Sequence, residues 1–408
     1  MITLSRVQNT FIYAFVFFGP LGTLLTPGFL PYAFRFYQLF LPFFPLFFLR
    51  LAPSQWKIAL TATPFLLYCM VSAFFTHQNP YPEDAYPLFR SFLLFAQTLF
   101  VIGAACCYQG PKIRLIKLYL AGYLISLAVG YLLFLGYYTR IFSLETIQRF
   151  SVEAQIGWSL LRFSPGTYPN EYGNISSFVL ATLLIFFGKK RRFLTFVMIF
   201  LTFVALLLTT TRAAQLSFFV SLIYLSVVSK DIRKILLILF LVGCTSLFIL
   251  KSYSVDYLNI FIGGLKAISF TTGTTGERIT TWTQGFYNLN EALFFGNGFG
   301  SEIFSHNIYF ELLFELGLVG VTLLIGQIAY HLLTHLSGLK SFWQRQKEVA
   351  PQITTIALIH VALFALTNHN LHHHLTFFSI LLFNLYLLNE KASYFSRIKA
   401  PNFSRKTS

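Results

Sequence analysis

The side chains with the clearest chemistry in this sequence are His306, Arg212 and Arg278. An imidazole titrates near neutral pH and can take the proton of a hydroxyl. A guanidinium can hold two oxygens of a phosphate or carboxylate through parallel hydrogen bonds, which a lysine cannot do. Each of the three lies in a short polar stretch next to an apolar run: Arg212 in "TTTRAAQ", Arg278 in "TTGTTGERITTWTQGFYNLNEALFFGNGFG" and His306 in "SHNIYFELLFELGLVG". Taken singly, each also has a plainer role. Arg212 suits a snorkelling cation or a structural ion pair, Arg278 a solvated helix start, and His306 a polar residue at a membrane boundary.

The neighbouring residues extend the pattern. Glu277 suits a helix N-terminus, so a helix is expected over about 277–290, with Trp282 one turn after Arg278. Ser305 is the expected N-cap of the apolar helix that follows, with Asn307 in its first turn. Glu311 and Glu315 lie one turn apart on that helix. Carboxylates at such depth need a partner, and an arginine from the same face is the natural one, so they read as residues that orient Arg or His. "RFSPGTYPNEYGN", from Arg162 to Asn174, is rich in turn formers, including Pro169 and Asn170, and reads as an ordered re-entry into the membrane; the amphipathic stretch 143–162 before it suits the interface. "GNGFG" lacks the flanking strand of a dinucleotide fingerprint. The histidines of "NHNLHHH" (His369, His372, His373 and His374) have no Cys or Asp beside them and are not expected to hold a metal. Cys69, Cys106, Cys107 and Cys244 fall in apolar runs and read as packing residues.

What must position these residues is a membrane bundle. The 408 residues are 56% hydrophobic and 11% charged, with a mean hydropathy of +0.65. Apolar runs long enough to cross about 30 Å of hydrocarbon recur throughout. Spans are expected at 9–28, 31–49, 57–76, 90–107, 115–136, 173–188, 193–210, 212–229, 234–251, 307–329, 351–368 and 373–389, the first retained rather than cleaved. The fold class is therefore all-α: a polytopic integral membrane protein of about twelve transmembrane helices, one transmembrane domain over 1–408, with a compact helical loop at 252–306. The formal charge of +16 concentrates in clusters such as Lys112/Arg114/Lys117, Lys189 to Arg192 and Lys340/Arg345/Lys347. With twelve spans these share one face, which the positive-inside rule makes cytoplasmic together with both termini. The basic excess is thereby explained without nucleic acid. The opposite face carries mainly arginines: Arg35, Arg90, Arg140, Arg149, Arg162, Arg212 and Arg278.

In combination, a Thr-Arg opening a span, an Arg-x-x-x-Trp on an outer helix, a Gly-rich turn, and "HN" leading into "ELLFELGLVG" resemble the O-antigen ligase and polymerase superfamily of bacterial envelope glycosyltransferases, specifically over 162–325. "GTYPNEYGN" is similar to that family's Pro-Asn motif. The resemblance implies a GT-C-like fold in the bacterial inner membrane with its active site facing the periplasm, so that 252–306 is a periplasmic loop. It implies transfer of a glycan from undecaprenyl diphosphate to an acceptor hydroxyl on lipid A-core, with inversion and without metal, ATP or another cofactor. In that scheme His306 is the general base and Arg212 and Arg278 clamp the diphosphate; Arg162, Pro169, Asn170, Glu277, Trp282, Asn307, Glu311 and Glu315 are the expected substrate-binding residues. A polymerase joining a second lipid-linked glycan shares these motifs. A transporter or lipid-linked-sugar flippase is the competing class, and it should show internal repeats and polar breaks at mid-membrane.

Overall fold

Inside hydrocarbon a chain must satisfy its own backbone, so apolar runs become helices. The computed structural model describes residues 3–25, 34–49, 51–76, 86–151, 156–157, 160–189, 193–229, 240–241, 243–246, 248–249, 273–301, 305–368 and 371–388. Its helices are α1 (Leu4–Phe18), α2 (Pro45–Phe48), α3 (Pro53–Phe74), α4 (Tyr86–Cys107), α5 (Lys112–Tyr138), α6 (Leu144–Gln148), α7 (Pro169–Lys189), α8 (Phe193–Leu208), α9 (Arg212–Val228), α10 (Gly273–Glu291), α11 (Ile308–Thr334), α12 (Leu336–Gln344), α13 (Val349–Thr367) and α14 (His374–Leu388). Among the described residues, six helices (α3, α4, α5, α7, α11 and α13) are long and apolar enough to cross a membrane, and α8, α9, α14 and the 36–48 segment are shorter apolar helices. Apart from one short two-stranded ribbon, the described residues form a helical polytopic membrane protein.

Several expected boundaries need correction. The first expected span is α1 followed by a 3-10 turn, Gly19–Leu21. The second is a 3-10 run, Phe36–Phe43, leading into α2, because Pro42 and Pro45 remove the amide donors a regular helix needs there. Among its described residues, the amphipathic 143–162 stretch forms the single turn of α6 and a two-stranded antiparallel ribbon pairing Ile156 with Leu161. Helix α12 was not anticipated. The span expected at 234–251 lies largely outside the described residues.

Helix α7 is the centre of the bundle, with 89% of its span buried, and α8, α9 and α13 pack around it. Small residues make this close approach possible. Gly173 is one of them: a β-carbon there would lie 3.0 Å from Thr209 Oγ1 and from Thr211 Cβ. The bundle has two distinct ends. At one, Lys112 lies over the Tyr386 ring at 4.3 Å, Tyr224 donates to Gln346 at 2.5 Å and Arg345 pairs with Glu348 at 2.8 Å. At the other are the starts of α4, α7, α9, α11 and α14, and with them every residue singled out for chemistry.

Helix α11 is not a continuous span. It breaks at Gly317, whose φ of 60° and ψ of −167° are outside helical geometry. The backbone groups released by the break are met by the loop after α10. The amides of Asn297 and Gly298 donate to the carbonyls of Phe314 and Glu315 at 2.9 and 3.0 Å, and the amides of Leu318 and Val319 donate to Leu293 and Phe294 at 3.0 Å. Glycine is required on both sides, since a β-carbon at Gly317 would stand 2.5 Å from the Phe294 carbonyl and one at Gly296 would stand 2.3 Å from that of Glu315. Gly317→Ala is accordingly expected to destabilise the protein by at least about 1–2 kcal/mol, the ordinary cost of a left-handed residue with a β-carbon. A lowered midpoint of thermal unfolding in detergent would register this; an unchanged midpoint would mean the break is not strained.

Candidate active site

The site is assembled from the starts of α9 and α11 and from α10, and each is held locally. Arg162 fixes the first. Its Nε donates to the Thr209 carbonyl at 2.9 Å and its Nη2 to Asn170 Oδ1 and Thr211 Oγ1 at 3.1 and 3.2 Å. Thr211 in turn donates to the carbonyl of Pro169, the first residue of α7, at 3.2 Å. Arg162, Pro169 and Asn170, expected to bind substrate, are thus joined to the Thr209–Thr211 turn. Thr210 in that turn has a φ of 53°. This turn presents Arg212, which is solvent-exposed, as the first residue of α9. Thr211 precedes it without a side-chain cap, so the positive end of the α9 dipole lies at the same place as the guanidinium.

Helix α10 runs beside the first turns of α11 in the same direction. Trp282 meets the Phe310 ring at 5.2 Å, and Phe286 meets Phe310 and Phe314 at 5.4 and 5.1 Å. Helix α10 begins at Gly273, one turn before the expected start, so Glu277 lies inside it. The indole of Trp282 donates to the Ser305 carbonyl at 2.6 Å, which ties the Arg278 helix to the His306 turn.

Asn307, and not Ser305, is the N-cap of α11. Its Oδ1 accepts from the amides of Tyr309 and Phe310 at 3.0 and 3.2 Å. Ser305 instead closes the preceding turn, with its hydroxyl accepting from the Asn307 amide at 3.1 Å and donating to the Asn307 carbonyl at 2.7 Å. Between them His306 is forced into the left-handed region, with φ of 49°, a conformation that is uncommon for a residue with a β-carbon and is found at functional sites.

These constraints bring Arg278 within electrostatic reach of both His306 and Arg212. Burial, then the Arg278 charge, lowers the His306 pKa below its ordinary value, while Glu277 opposes the shift. The imidazole is therefore neutral, and able to accept a proton, at neutral pH. Burial, then the Arg212 charge, lowers that of Arg278, which remains a cation because its ordinary value is so high. Arg278 has no carboxylate ion pair among the described residues. Two guanidinium groups gathered beside a neutral imidazole form a place for an anion.

Glu311 and Glu315 do not join this group. Both carboxylates are bound to Arg90 of α4, each at 2.6 Å, and all three residues are buried. The sequence pointed to an arginine partner but did not identify which one. A second buried pair was missed altogether: Arg35 Nη2 bonds Glu171 Oε2 at 2.6 Å, and Thr167 also donates to that oxygen. The available signals were a lone arginine just inside a predicted span and a carboxylate in the "PNEYGN" turn. The "NHNLHHH" histidines each take a different neighbour: His372 bonds Gln97 at 2.8 Å, His373 stacks on Phe364 at 4.5 Å and His374 bonds the Phe15 carbonyl at 3.0 Å. No cluster able to hold a metal occurs among the described residues, and His369 lies outside them.

Residues 196–325 match the O-antigen ligase family. The match supports the O-antigen ligase and polymerase superfamily for this chain, as the sequence motifs had indicated. It contains Arg212, Arg278, His306, Glu311 and Glu315, while Arg90, Arg162 and Asn170 lie outside it. No curated protein matches the chain.

The cap makes a direct prediction. Asn307→Ala should lower stability by about 1 kcal/mol, whereas Asn307→Asp or Asn307→Ser should lose far less. Thermal unfolding of the three variants side by side checks it, and equal losses would remove Asn307 as the cap.

Proposed function

We propose that the chain is an O-antigen ligase-type glycosyltransferase of the bacterial inner membrane, moving a glycan from undecaprenyl diphosphate to a hydroxyl of lipid A-core on the periplasmic face. The observation that carries this reading is the gathering of Arg212, Arg278 and a neutral His306 at the bundle end opposite the basic Lys112/Arg345 end. With that basic end cytoplasmic, the three residues meet the periplasm.

In the proposed reaction the acceptor oxygen attacks the anomeric carbon from the face opposite the diphosphate, and the bond from that carbon to the diphosphate oxygen breaks. The proton of the hydroxyl passes to the His306 imidazole. The leaving diphosphate carries the bonding electrons and gains charge, which Arg212, Arg278 and the α9 N-terminus stabilise. A single displacement inverts the anomeric centre. Arg162, Pro169, Asn170, Trp282 and Asn307 act by holding the turns that carry these groups, and Glu277 by adjusting the histidine.

His306→Ala should lower transfer by at least about 100-fold, the usual worth of a general base, without removing the protein from the membrane. Arg278→Lys keeps the charge but loses the fork, and should lose most activity. The pH dependence is a sharper check. Transfer requires neutral His306, so activity should fall as the pH drops through a value below the ordinary histidine value. Glu277 raises the His306 pKa, so Glu277→Gln should move this acid limb to still lower pH. A limb that does not move would take His306 out of the base role. Lipopolysaccharide from a deletion strain identifies the acceptor: O-chain absent from the core with polymer stranded on the carrier means ligase, a single repeat on the core means polymerase, and an unchanged ladder overturns both.

A further inference from the structure

Arg90 occupies a position from which it controls the proposed base without touching it. Its guanidinium has one nitrogen, Nη2, on Glu311 and another, Nη1, on Glu315, each at 2.6 Å. Its guanidinium carbon lies over the Phe299 ring, 4.9 Å from the ring centroid. Phe299 belongs to the "GNGFG" loop and Glu311 to the first turn of α11, so one side chain grips the chain on both sides of His306. The Phe299 backbone is also held from the end of α3 and just beyond it: Ser72 Oγ accepts from the Phe299 amide at 3.1 Å and Thr76 donates to the Phe299 carbonyl at 3.1 Å. Arg90 is 6% exposed, Glu311 5% and Glu315 0%, so the guanidinium is enclosed by protein.

We infer that Arg90 is the positioning residue of the His306 centre: bound to Glu311, Glu315 and Phe299, it sets where the imidazole stands relative to the attacked carbon. This rests on the reading of His306 as the base. The geometry requires a fork. A lysine at position 90 would keep a charge but supply one compact donor group in place of two nitrogens aimed at two carboxylates and a flat face for the ring. Misplacing a base by about 1 Å costs on the order of 100-fold in rate while leaving the binding groups intact.

The test uses the full-length protein in lipid nanodiscs with undecaprenyl-diphosphate-linked oligosaccharide as donor and O-chain-free lipopolysaccharide as acceptor. Four variants are compared with the parent: Arg90→Met, Arg90→Lys, the triple Arg90→Met/Glu311→Gln/Glu315→Gln, which removes the buried charges together, and His306→Ala. Positioning predicts that kcat falls about 100-fold in Arg90→Met and less in Arg90→Lys, with the donor KM within about 2-fold of the parent. The triple variant should fold in normal yield and stay slow, so a failure of Arg90→Met to fold leaves the question answerable. A merely structural role would instead lower kcat only in proportion to the folded fraction. That result would overturn the inference, as would a folded triple variant with parental kcat. A raised donor KM at unchanged kcat would overturn it too, making Arg90 a substrate-binding group. Activity in His306→Ala would show that the base reading itself is wrong, a different result from a fast Arg90 variant beside an inactive His306→Ala.

Discussion

A helix that breaks within a membrane protein leaves amides and carbonyls with no water to receive them, and each such group costs several kcal/mol in hydrocarbon. In this chain the break at Gly317 is met by the loop that follows α10, through paired backbone bonds running both ways between 293–298 and 314–319. That requirement determines much of what lies above it. The loop must reach three turns down α11, so α10 is drawn in beside α11. Trp282 is thereby brought to the Ser305 carbonyl, and Arg278, four residues earlier on α10, to His306. The left-handed turn at His306 closes a path whose two ends are already tied.

The arginines of this end fall into two groups with different physics. Arg35 and Arg90 are buried and matched to carboxylates, and their role is to join elements distant in sequence. Arg212 and Arg278 are more accessible, and burial together with the Arg212 charge makes the cationic form of Arg278 less favourable. The turn that carries Arg212 is itself held by neutral ties from Arg162 to Thr209, Asn170 and Thr211.

Most span positions were legible because a membrane helix announces itself through composition alone. The expected 173–188, 193–210, 212–229, 351–368 and 373–389 agree with α7, α8, α9, α13 and α14 to within a few residues. What was not legible depended on distance in sequence. Nothing local says that Arg35 belongs with Glu171 or Arg90 with Glu311 and Glu315, since the partners meet only when the bundle closes. The cap was misread because Ser and Asn are both good N-caps, and the choice between them was made by the Ser305 hydroxyl turning back on the Asn307 backbone. The Gly317 break was hidden by its apolar neighbours. "GNGFG" and "ELGLVG" each look like ordinary punctuation until seen as two halves of one contact.

The Arg90 cluster also bears on how the chain is made. Arg90 and Glu311 are separated by 221 residues, so during synthesis the arginine enters the bilayer long before its partners exist. It lies four residues inside the start of α4, near enough to the surface for its long side chain to stay in the headgroup layer until α11 arrives. The loop from α10 likewise has no broken helix to complete until residues 314–319 have been inserted. The end that carries the proposed centre is therefore the last part of the early and middle chain to settle, and a growing chain released before α11 would carry Arg212 and Arg278 beside a His306 not yet fixed in place.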